Sequence, residues 1–379
     1  MPRIREIGVF LDLFGAYGRG IFIGLRKYAE EVGNWHCRFP KTYPVGRDVD
    51  IADWEVDGWI GYSNDSKLAD AIQKRPKPVV CVSTMEALKG RPAVVADNEA
   101  IGRMAFDYLL ERGHTNFAFV GHPEQYSVKR RGSFVIAVDQ FGRTCHTFPD
   151  YRYSPQSDKE LRDWLTWLPK PIGLFADCDD IGAIVLDQCR AAKLAVPEAI
   201  AVLAADNDEL LCTLRLPSLS SIQLDTSRIG YEAAATLDRM LDGGPPPVKP
   251  VRIPPINVVT RQSTDALAFA DVEVRNAVKF IRSRTSKPTT VADVVVNARI
   301  SVSTLEQRFR RQLKNSILSY IHKVHVEHAI SLLTSTDLSI DQIAQESGFS
   351  SPTRMGIVFR KVTGKTPSAH RRYAAERHS

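Results

Sequence analysis

The hydrophobic pattern of this chain changes once along its length, and that change restricts the folds available to it. Up to about residue 241, short continuous apolar runs alternate with amphipathic stretches, whereas only helix-type periodicity follows Asp271. Continuous apolar runs with helices between them are typical of parallel sheets covered on both faces. Helix-type periodicity alone predicts an all-α domain. The 379 residues are therefore predicted to form an α/β part followed by an all-α part.

Apolar runs locate the elements of the α/β part. We predict strands at 7–11, 56–61, 78–82, 117–121, 172–176 and 200–204, and helices at 20–32, 102–111 and 181–192. The residues 12–19 between the first strand and helix are predicted to be a loop. Ligands in such folds bind outside the carboxyl ends of the strands.

A proline-rich stretch separates the two parts. It begins with Gly243-Gly244-Pro245-Pro246-Pro247 and continues through Pro250, Pro254 and Pro255. Such a composition predicts a stiff, exposed connector rather than a helix. We place the main domain boundary between this stretch and Asp271.

Charge is distributed unevenly between the two parts. The net charge of the chain is +6, yet residues 266–379 hold 18 Lys and Arg against 9 Asp and Glu, which gives +9. The remaining residues hold 32 basic and 35 acidic side chains, which gives −3. A basic domain on a mildly acidic body is the electrostatic pattern of nucleic-acid binding. Charge alone leaves open a basic domain with no such partner.

Several classes of protein are disfavoured by what the sequence lacks. The six cysteines form no CxxC pair, and no apolar run of eighteen residues or secretory signal is present. We therefore expect reduced thiols, no zinc, no membrane span and a cytoplasmic location. No GxSxG, GxxxxGK[ST] or HExxH motif is found, so we expect no catalytic residues, no cofactor and no enzyme. The neighbouring carboxylates Asp177, Asp179 and Asp180 favour ligand contact or helix capping over a metal site.

Two helix-turn-helix units are predicted in the all-α part, at about 291–314 and 340–363. In the first unit, Leu305 and Phe309 are spaced to face the core. In the second, Gly348 makes the turn and Phe349 fills the core. The outward-facing residues of the second helix of each unit are predicted to meet base edges. The basic residues Arg360, Lys361 and Lys365 are predicted to contact phosphates. The predicted DNA-binding residues are Ser303, Glu306, Gln307, Thr353, Arg354, Ile357, Arg360 and Lys361.

The all-α part resembles the paired helix-turn-helix domain of the AraC family. The resemblance covers about a hundred residues and is carried by Ala344, Gly348-Phe349, Phe359-Arg360-Lys361, Gly364, Thr366-Pro367 and Arg371-Arg372-Tyr373. It implies that the two recognition helices enter successive major grooves on one face of double-stranded DNA.

The α/β part resembles the effector domain of the lactose-repressor family, which is similar to periplasmic sugar-binding proteins. The matching segments include residues 95–102, 111–114, 117–121, 175–179, 196–202, 217–221 and 230–234. The resemblance implies a two-lobed, doubly wound ligand-binding domain over residues 1–265, with the connector at 242–265. Residues 266–379 then form the DNA-binding domain.

The family's ligand-contact positions fall on Asp206, Arg130, Asp179, Phe14 and Tyr17. A carboxylate accepts from two sugar hydroxyls, an arginine fork donates to them, and aromatic faces cover the C–H surfaces. Each residue has an alternative that the sequence leaves open. The aspartates can cap turns or helices, Arg130 can be a surface charge, and the two aromatic residues can belong to a core or an interface.

A sugar-binding domain joined to AraC-type helix-turn-helix units is the arrangement of the XylR-like regulators, and residues 253–265 resemble the junction in that family. The resemblance implies a homodimeric transcription regulator, an activator that responds to D-xylose and works with RNA polymerase. A response to another aldose or sugar derivative, and action as a repressor, stay open. The operator sequence, and whether the dimer forms without ligand, are not predicted.

Overall fold

The computed structural model describes residues 3–39, 51, 54–62, 71–72, 74–83, 90–148, 150–269, 271–313, 315–336 and 338–375. The chain divides into two compact units. Unit 1 comprises residues 1–109 with 115–266, and unit 2 comprises residues 110–114 with 267–379. Among the described residues, none of the helices is long and apolar enough to cross a membrane.

Unit 1 contains a four-stranded parallel sheet near its amino terminus, in the order β2-β1-β3-β4. A parallel bridge from Cys81 to Ala93 adjoins the parallel pair formed by β5 and β11. The strands are β1 (Arg5–Phe10), β2 (Trp35–Arg38), β3 (Gly58–Gly61), β4 (Val79–Cys81), β5 (Val94–Ala96) and β11 (Val251–Ile253). Their side chains are mostly buried, as continuous apolar runs predict.

A second, six-stranded sheet follows in the order β12-β10-β9-β8-β6-β7. All its pairs are parallel except that between β10 and β12. The strands are β6 (Phe117–Val120), β7 (Cys145–Phe148), β8 (Ile172–Ala176), β9 (Ile200–Asp206), β10 (Ser220–Gln223) and β12 (Asn257–Val259). The two sheets give unit 1 the predicted two-lobed, doubly wound α/β architecture.

The helices of unit 1 lie between its strands. They are α1 (Ala16–Val32), α2 (Asn98–Glu111), of which the last two residues belong to unit 2, α3 (Gln125–Gln140), α4 (Pro155–Trp167), α5 (Asp179–Ala191), α6 (Glu209–Thr213) and α7 (Thr226–Leu241). All three helices predicted in this unit begin earlier than predicted, α1 and α2 by about one turn. Gly15 is the N-cap of α1, so the predicted loop 12–19 is wrong in its second half. The side chain of Asp97 accepts from the backbone N–H of Ala100 at 3.0 Å, which starts α2 before Gly102.

The proline-rich stretch is not simply a connector. Residues 251–253 form β11 and residues 257–259 form β12, and a 3-10 turn at Gln262–Thr264 follows. Ser263 and Thr264 are fully buried, and the Ser263 hydroxyl donates to the carbonyl of Val202 at 2.6 Å. Proline is tolerated at the ends of edge strands, where a missing N–H breaks no ladder. The expectation of an exposed connector was therefore wrong after about residue 250.

Unit 2 is all helical. Its helices are α8 (Val272–Arg282), α9 (Val291–Ala298), α10 (Val302–Leu313), α11 (Ile317–Ser335), α12 (Ile340–Glu346), α13 (Pro352–Thr363) and α14 (Pro367–Ala375). Helix α11 serves two cores. Its first half packs with α8, α9 and α10, and its second half packs with α12 and α13.

Candidate functional site

A cavity of about 1110 Å³ opens in unit 1. We call it the cleft. Its lining comes from the loop after β1, the start of α1, the end of β9 and the first turns of α2, α3 and α5. The site therefore lies where chain segments leave the carboxyl ends of parallel strands, as expected for this class of fold. The five predicted ligand residues all line it: Phe14, Tyr17, Arg130, Asp179 and Asp206.

Arg130 and Asp206 form a partly buried ion pair in the cleft. The side chain of Arg130 is 3% exposed, and its terminal nitrogens lie 3.3 Å from Oδ1 of Asp206. Its Nε donates to Oδ1 of Asn98 at 2.9 Å, and another nitrogen donates to the carbonyl of Asp177. The guanidinium carbon lies 5.1 Å from the ring centroid of Tyr126, a cation–π contact. These contacts exclude the alternative that Arg130 is a surface charge.

Asp206 ends β9 in an unusual backbone conformation. Its φ is 111°, and that of Asn207 is 53°. Positive φ is disfavoured for residues with a side chain and persists where surrounding contacts enforce it. Here the backbone N–H of Asn207 donates to the Ser221 hydroxyl at 3.0 Å. The side chain of Arg261 donates to Oδ1 of Asn207 at 2.8 Å. Burial raises the pKa of Asp206 to about 6, although the charge of Arg130 opposes this.

Asp179 occupies the first turn of α5, but it does not cap that helix. Its Oδ1 accepts from the Ser221 hydroxyl at 2.5 Å, and its Oδ2 accepts from the backbone N–H of Asp208 at 2.6 Å. Burial and the nearby charge of Asp206 raise its pKa to about 8. Asp179 thus ties the loop after β9 to α5, and both its oxygens already have protein partners.

The two aromatic candidates occupy different surroundings. Tyr17 lies in the first turn of α1, donates from its hydroxyl to the carbonyl of Val82 at 2.6 Å, and meets Tyr62 edge-on at 6.1 Å between centroids. Phe14 is 72% exposed at the cleft. Phe14 is therefore not a core residue, and it lines the cleft.

Sequence reasoning missed several cleft residues. Asn98, His122, Tyr126 and Tyr153 line it together with Asp12, Tyr62 and the leucines at 210, 211 and 214. The missed signal was position, because each follows a strand or begins a helix at the same edge of its sheet. The polar side chains concentrate around Arg130, whereas Leu210 and Leu214 are exposed apolar residues.

One group of potential metal ligands occurs among the described residues. His122, Asp177 and Cys178 each offer a ligand atom, and these atoms lie within 4.8 Å of one another. Oδ2 of Asp177 already accepts from the backbone and faces the ring of His122, and burial raises the pKa of the Cys178 thiol well above its ordinary value. We therefore interpret the group as a hydrogen-bonded cluster.

The first helix-turn-helix unit is formed by α9 and α10. Thr290 and Asp293 form a reciprocal capping box at the start of α9, and Arg299 takes a left-handed conformation at its end. Leu305 and Phe309 are fully buried, as their spacing predicts. Ser303 and Gln307 are exposed on α10.

Glu306 does not project freely, unlike its predicted neighbours on α10. Its Oε1 accepts from Nε of Arg310 at 2.9 Å, and its Oε2 accepts from the backbone N–H of Ile317 at 3.1 Å. The side chain therefore satisfies an amide at the start of α11. Both oxygens have partners within the protein, which weighs against the predicted contact of Glu306 with a base edge.

The second unit is formed by α12 and α13. Ser339 and Gln342 form a capping box, Gly348 turns the chain with φ at 74°, and the Ser351 hydroxyl caps α13. Met355, Val358 and Phe359 are buried against α11 and α12. The predicted DNA-binding residues of this unit are all exposed: Thr353, Arg354, Ile357, Arg360 and Lys361.

Comparison with family models agrees with this division. A periplasmic binding protein-like domain matches residues 106–264, and a helix-turn-helix domain matches residues 295–373. Each match falls on the part of the chain with the corresponding architecture.

Curated relatives match the whole chain. The xylose operon regulatory protein of Escherichia coli K12 is 31% identical over 382 residues, which cover 97% of each chain. The xylose operon regulatory protein of Haemophilus influenzae Rd is 32% identical over 383 residues, which cover 97% of this chain and 98% of the relative. These relatives are transcription regulators, not enzymes.

Solved structures give the same assignment. The structure of the xylose-binding transcription activator xylR superposes with a TM-score of 0.63 at 29% identity, covering 98% of this chain and 99% of that one. A ribose-bound LacI family regulator from Enterococcus faecium shares the fold of 69% of this chain, with a TM-score of 0.57 at 20% identity. The chain therefore belongs to the family of xylose operon regulatory proteins, DNA-binding transcription regulators that join a periplasmic-binding-protein-like domain to a helix-turn-helix domain.

Proposed function

We propose that the cleft binds a monosaccharide, with D-xylose the first candidate, and that binding controls transcription of sugar-utilisation genes. The partly buried Arg130–Asp206 pair supports this most directly. A planar donor fork beside a carboxylate satisfies neighbouring hydroxyl groups from both sides. Phe14 and Tyr17 contribute apolar faces. The names of the full-length relatives favour xylose over other aldoses and sugar derivatives.

Thermal unfolding against a panel of monosaccharides tests this proposal. A ligand at about a hundred times its dissociation constant should add roughly 2.7 kcal/mol of stability. We expect a shift with a pentose, and we expect Asp206→Ala to abolish it because the hydroxyl acceptor is lost. Asp163→Ala, an exposed carboxylate on α4 outside the cleft, is the matched control and should keep the shift. The absence of a shift with every sugar would contradict a sugar effector.

The exposed faces of α10 and α13 are proposed to contact double-stranded DNA. Ser303, Gln307, Thr353, Arg354 and Ile357 would meet base edges, whereas Arg360 and Lys361 would contact phosphates. Arg354 has the most specific chemistry, since a guanidinium reads guanine through two acceptors. Glu306 is assigned instead to holding the start of α11 through its contact with Ile317.

Selection of binding sites from random-sequence DNA tests the role of Arg354. Arg354→Ala should relax the preference at one base position, with a loss of about 1–3 kcal/mol at the preferred site. Arg311→Ala, an exposed arginine in the last turn of α10, leaves α13 intact and should keep that preference. An unchanged selected sequence in Arg354→Ala would contradict base contact.

The remaining proposals concern assembly. We propose a cytoplasmic homodimer in which sugar binding favours one arrangement of the two DNA-binding units, which requires the sugar to bind that arrangement more tightly. By family, the protein would activate transcription with RNA polymerase, and repression is the alternative. Analytical ultracentrifugation with sugar and DNA present tests the dimer, since a monomer under those conditions would contradict it.

A further inference from the structure

A buried histidine–aspartate pair forms part of the cleft wall. His122 follows β6, Asp177 follows β8, and these strands are neighbours in the sheet. The backbone N–H of His122 donates to Oδ2 of Asp177 at 2.8 Å, and Nδ1 of the ring lies 3.1 Å from the same oxygen. Asp177 is fully buried and His122 is 8% exposed. Two contacts to one carboxylate oxygen fix the orientation of the ring.

Stability alone is a poor explanation for this pair. Removing two charged groups from water offsets most of their attraction, so a well-packed apolar pair is often at least as stable. The absence of a side chain at Gly121 also leaves room for the carboxylate of Asp177. A Cβ added at Gly121 would lie 2.8 Å from Oδ2 of Asp177 and 2.5 Å from the Ser127 hydroxyl. The pair therefore calls for a role other than holding the fold.

The pairing determines which ring nitrogen faces the cleft. Burial raises the pKa of Asp177, but the hydrogen bonds and charge of His122 outweigh it and keep the carboxyl ionised. An ionised carboxylate only accepts, so Nδ1 of His122 carries a hydrogen. Burial lowers the pKa of His122, but Asp177 outweighs this and raises it above the ordinary value. The protonated ring, which this shift favours, also carries a hydrogen on Nε2, and Nε2 lies 3.0 Å from the hydroxyl of Tyr153, a residue that is 66% exposed.

Tyr126 connects this donor to the ion pair already described. Its hydroxyl lies 3.2 Å from Nδ1 of His122, and its ring faces the guanidinium of Arg130. Arg130 and His122 are thus separated by the length of one tyrosine side chain. Arg130 and His122 line the same cleft, so a sugar that accepts from Arg130 would lie in the cavity that His122 also lines.

We propose that Nε2 of His122 donates a hydrogen bond to one oxygen of the bound sugar and thereby determines which sugar the cleft accepts. Asp177 is the positioning residue for this donor. The exposed Tyr153 hydroxyl contacts Nε2 and would give way to the sugar. The inference rests on the proposed function, because it assigns a specificity contact within the same site.

Calorimetric titration with a series of deoxy sugars tests the proposal. The probes are the sugar that stabilises the wild-type protein and its analogues that each lack one hydroxyl. The analogue that lacks the hydroxyl contacting His122 should bind about tenfold to a hundredfold more weakly than the parent sugar, because it loses a hydrogen bond to a charged group. The affinity of His122→Leu for the parent sugar should be lower than that of the wild type by a similar factor. In this variant, the analogue that lacks the contacting hydroxyl should bind less than about threefold more weakly than the parent sugar. His146→Leu, a histidine on β7 outside the cleft, is the matched control and should behave as wild type.

Two further variants cover the case in which His122→Leu does not fold. His122→Gln keeps an amide donor and should retain part of the selectivity. Asp177→Asn should weaken the parent sugar and shift the ¹⁵N resonances of the His122 ring, which reports loss of the fixed proton arrangement. Unchanged selectivity in folded His122 variants would overturn this inference and leave the sugar effector standing. The absence of sugar binding to the wild-type protein would overturn the proposed function and this inference together.

Discussion

At the scale of single residues, the cleft depends on charged groups that are unfavourable when isolated and are stabilised by specific partners. Arg130 is buried among Asn98, Asp206 and the ring of Tyr126. Buried charges of this kind are retained at sites where a ligand uses them. One measurable consequence of this burial is the raised pKa of the Asp206 carboxyl.

Sugar affinity should fall as the pH decreases through about 6. The pKa of Asp206 is raised from 3.8 to about 6, first by burial. Its protonated form has lost acceptor capacity for sugar hydroxyls, so the association constant should decrease up to about tenfold per pH unit below that value. Titration calorimetry between about pH 4.5 and 6.5 measures this. Asp206→Asn should bind weakly with a flatter pH profile, and an equal slope in the variant would assign the effect to another group.

The raised pKa of Asp206 gives the free energy of unfolding a pH dependence opposite to that of sugar affinity. Without sugar, the folded protein holds the Asp206 proton more tightly than the unfolded chain does. The contribution of this group to stability is therefore present below about pH 4 and is lost as the pH rises through about 6.

At the scale of secondary-structure elements, two helices of unit 1 pack with their backbones in close approach. A Cβ added at Gly24 of α1 would lie 1.9 Å from the carbonyl oxygen of Ser227 on α7, and one at Gly230 would lie 2.0 Å from that of Ile21. Glycine is required at this crossing because any side chain must separate the helices. Helix α1 also carries Tyr17 and Arg19 into the cleft, so this packing positions part of the site.

Gly24→Ala should destabilise unit 1 by about 1–3 kcal/mol, the range for overpacking of a tight interior. Thermal unfolding with and without sugar measures the loss. Gly132→Ala on α3 is the matched control, because nothing lies within 4 Å of its added Cβ. The control should be neutral or slightly stabilising, since alanine favours a helix over glycine. Equal melting temperatures for the two variants would show that α1 and α7 separate at little cost.

At the scale of the whole molecule, charge is divided according to function. Residues 266–379 carry a net +9 and the remainder a net −3. DNA binding releases counterions in proportion to the phosphates contacted, whereas an uncharged sugar releases none. DNA affinity should thus fall steeply with salt while sugar affinity stays nearly constant.

Lys361→Ala should lower the slope of log affinity against log salt by about one. Fluorescence anisotropy of a selected DNA duplex between about 50 and 200 mM salt measures this slope. Lys159→Ala removes the same charge from an exposed position on α4 in unit 1 and should leave the slope unchanged. The same slope in Lys361→Ala as in the wild type would contradict a phosphate contact at this residue.

The sequence by itself determined the classes of the two parts and their most strongly patterned elements. Buried parallel strands and amphipathic helices have local apolar patterns, and the helix-turn-helix units have local caps and a turn glycine at 348. Family resemblance pointed to Arg130 and Asp206, and the structure brings these two residues together in the cleft. The element predictions succeeded because each depends on neighbouring residues.

Only the tertiary structure decided how distant residues are paired. His122 and Asp177 are 55 positions apart and meet because β6 and β8 are adjacent. Glu306 has the sequence position of a base-reading residue, but its partner is the start of the next helix. Residues 251–253 lie between prolines in a stretch that was predicted to be a connector, yet β5 supplies the hydrogen-bonding edge that makes them a strand. In each case the deciding partner lies in another element, outside the local segment from which the prediction was made.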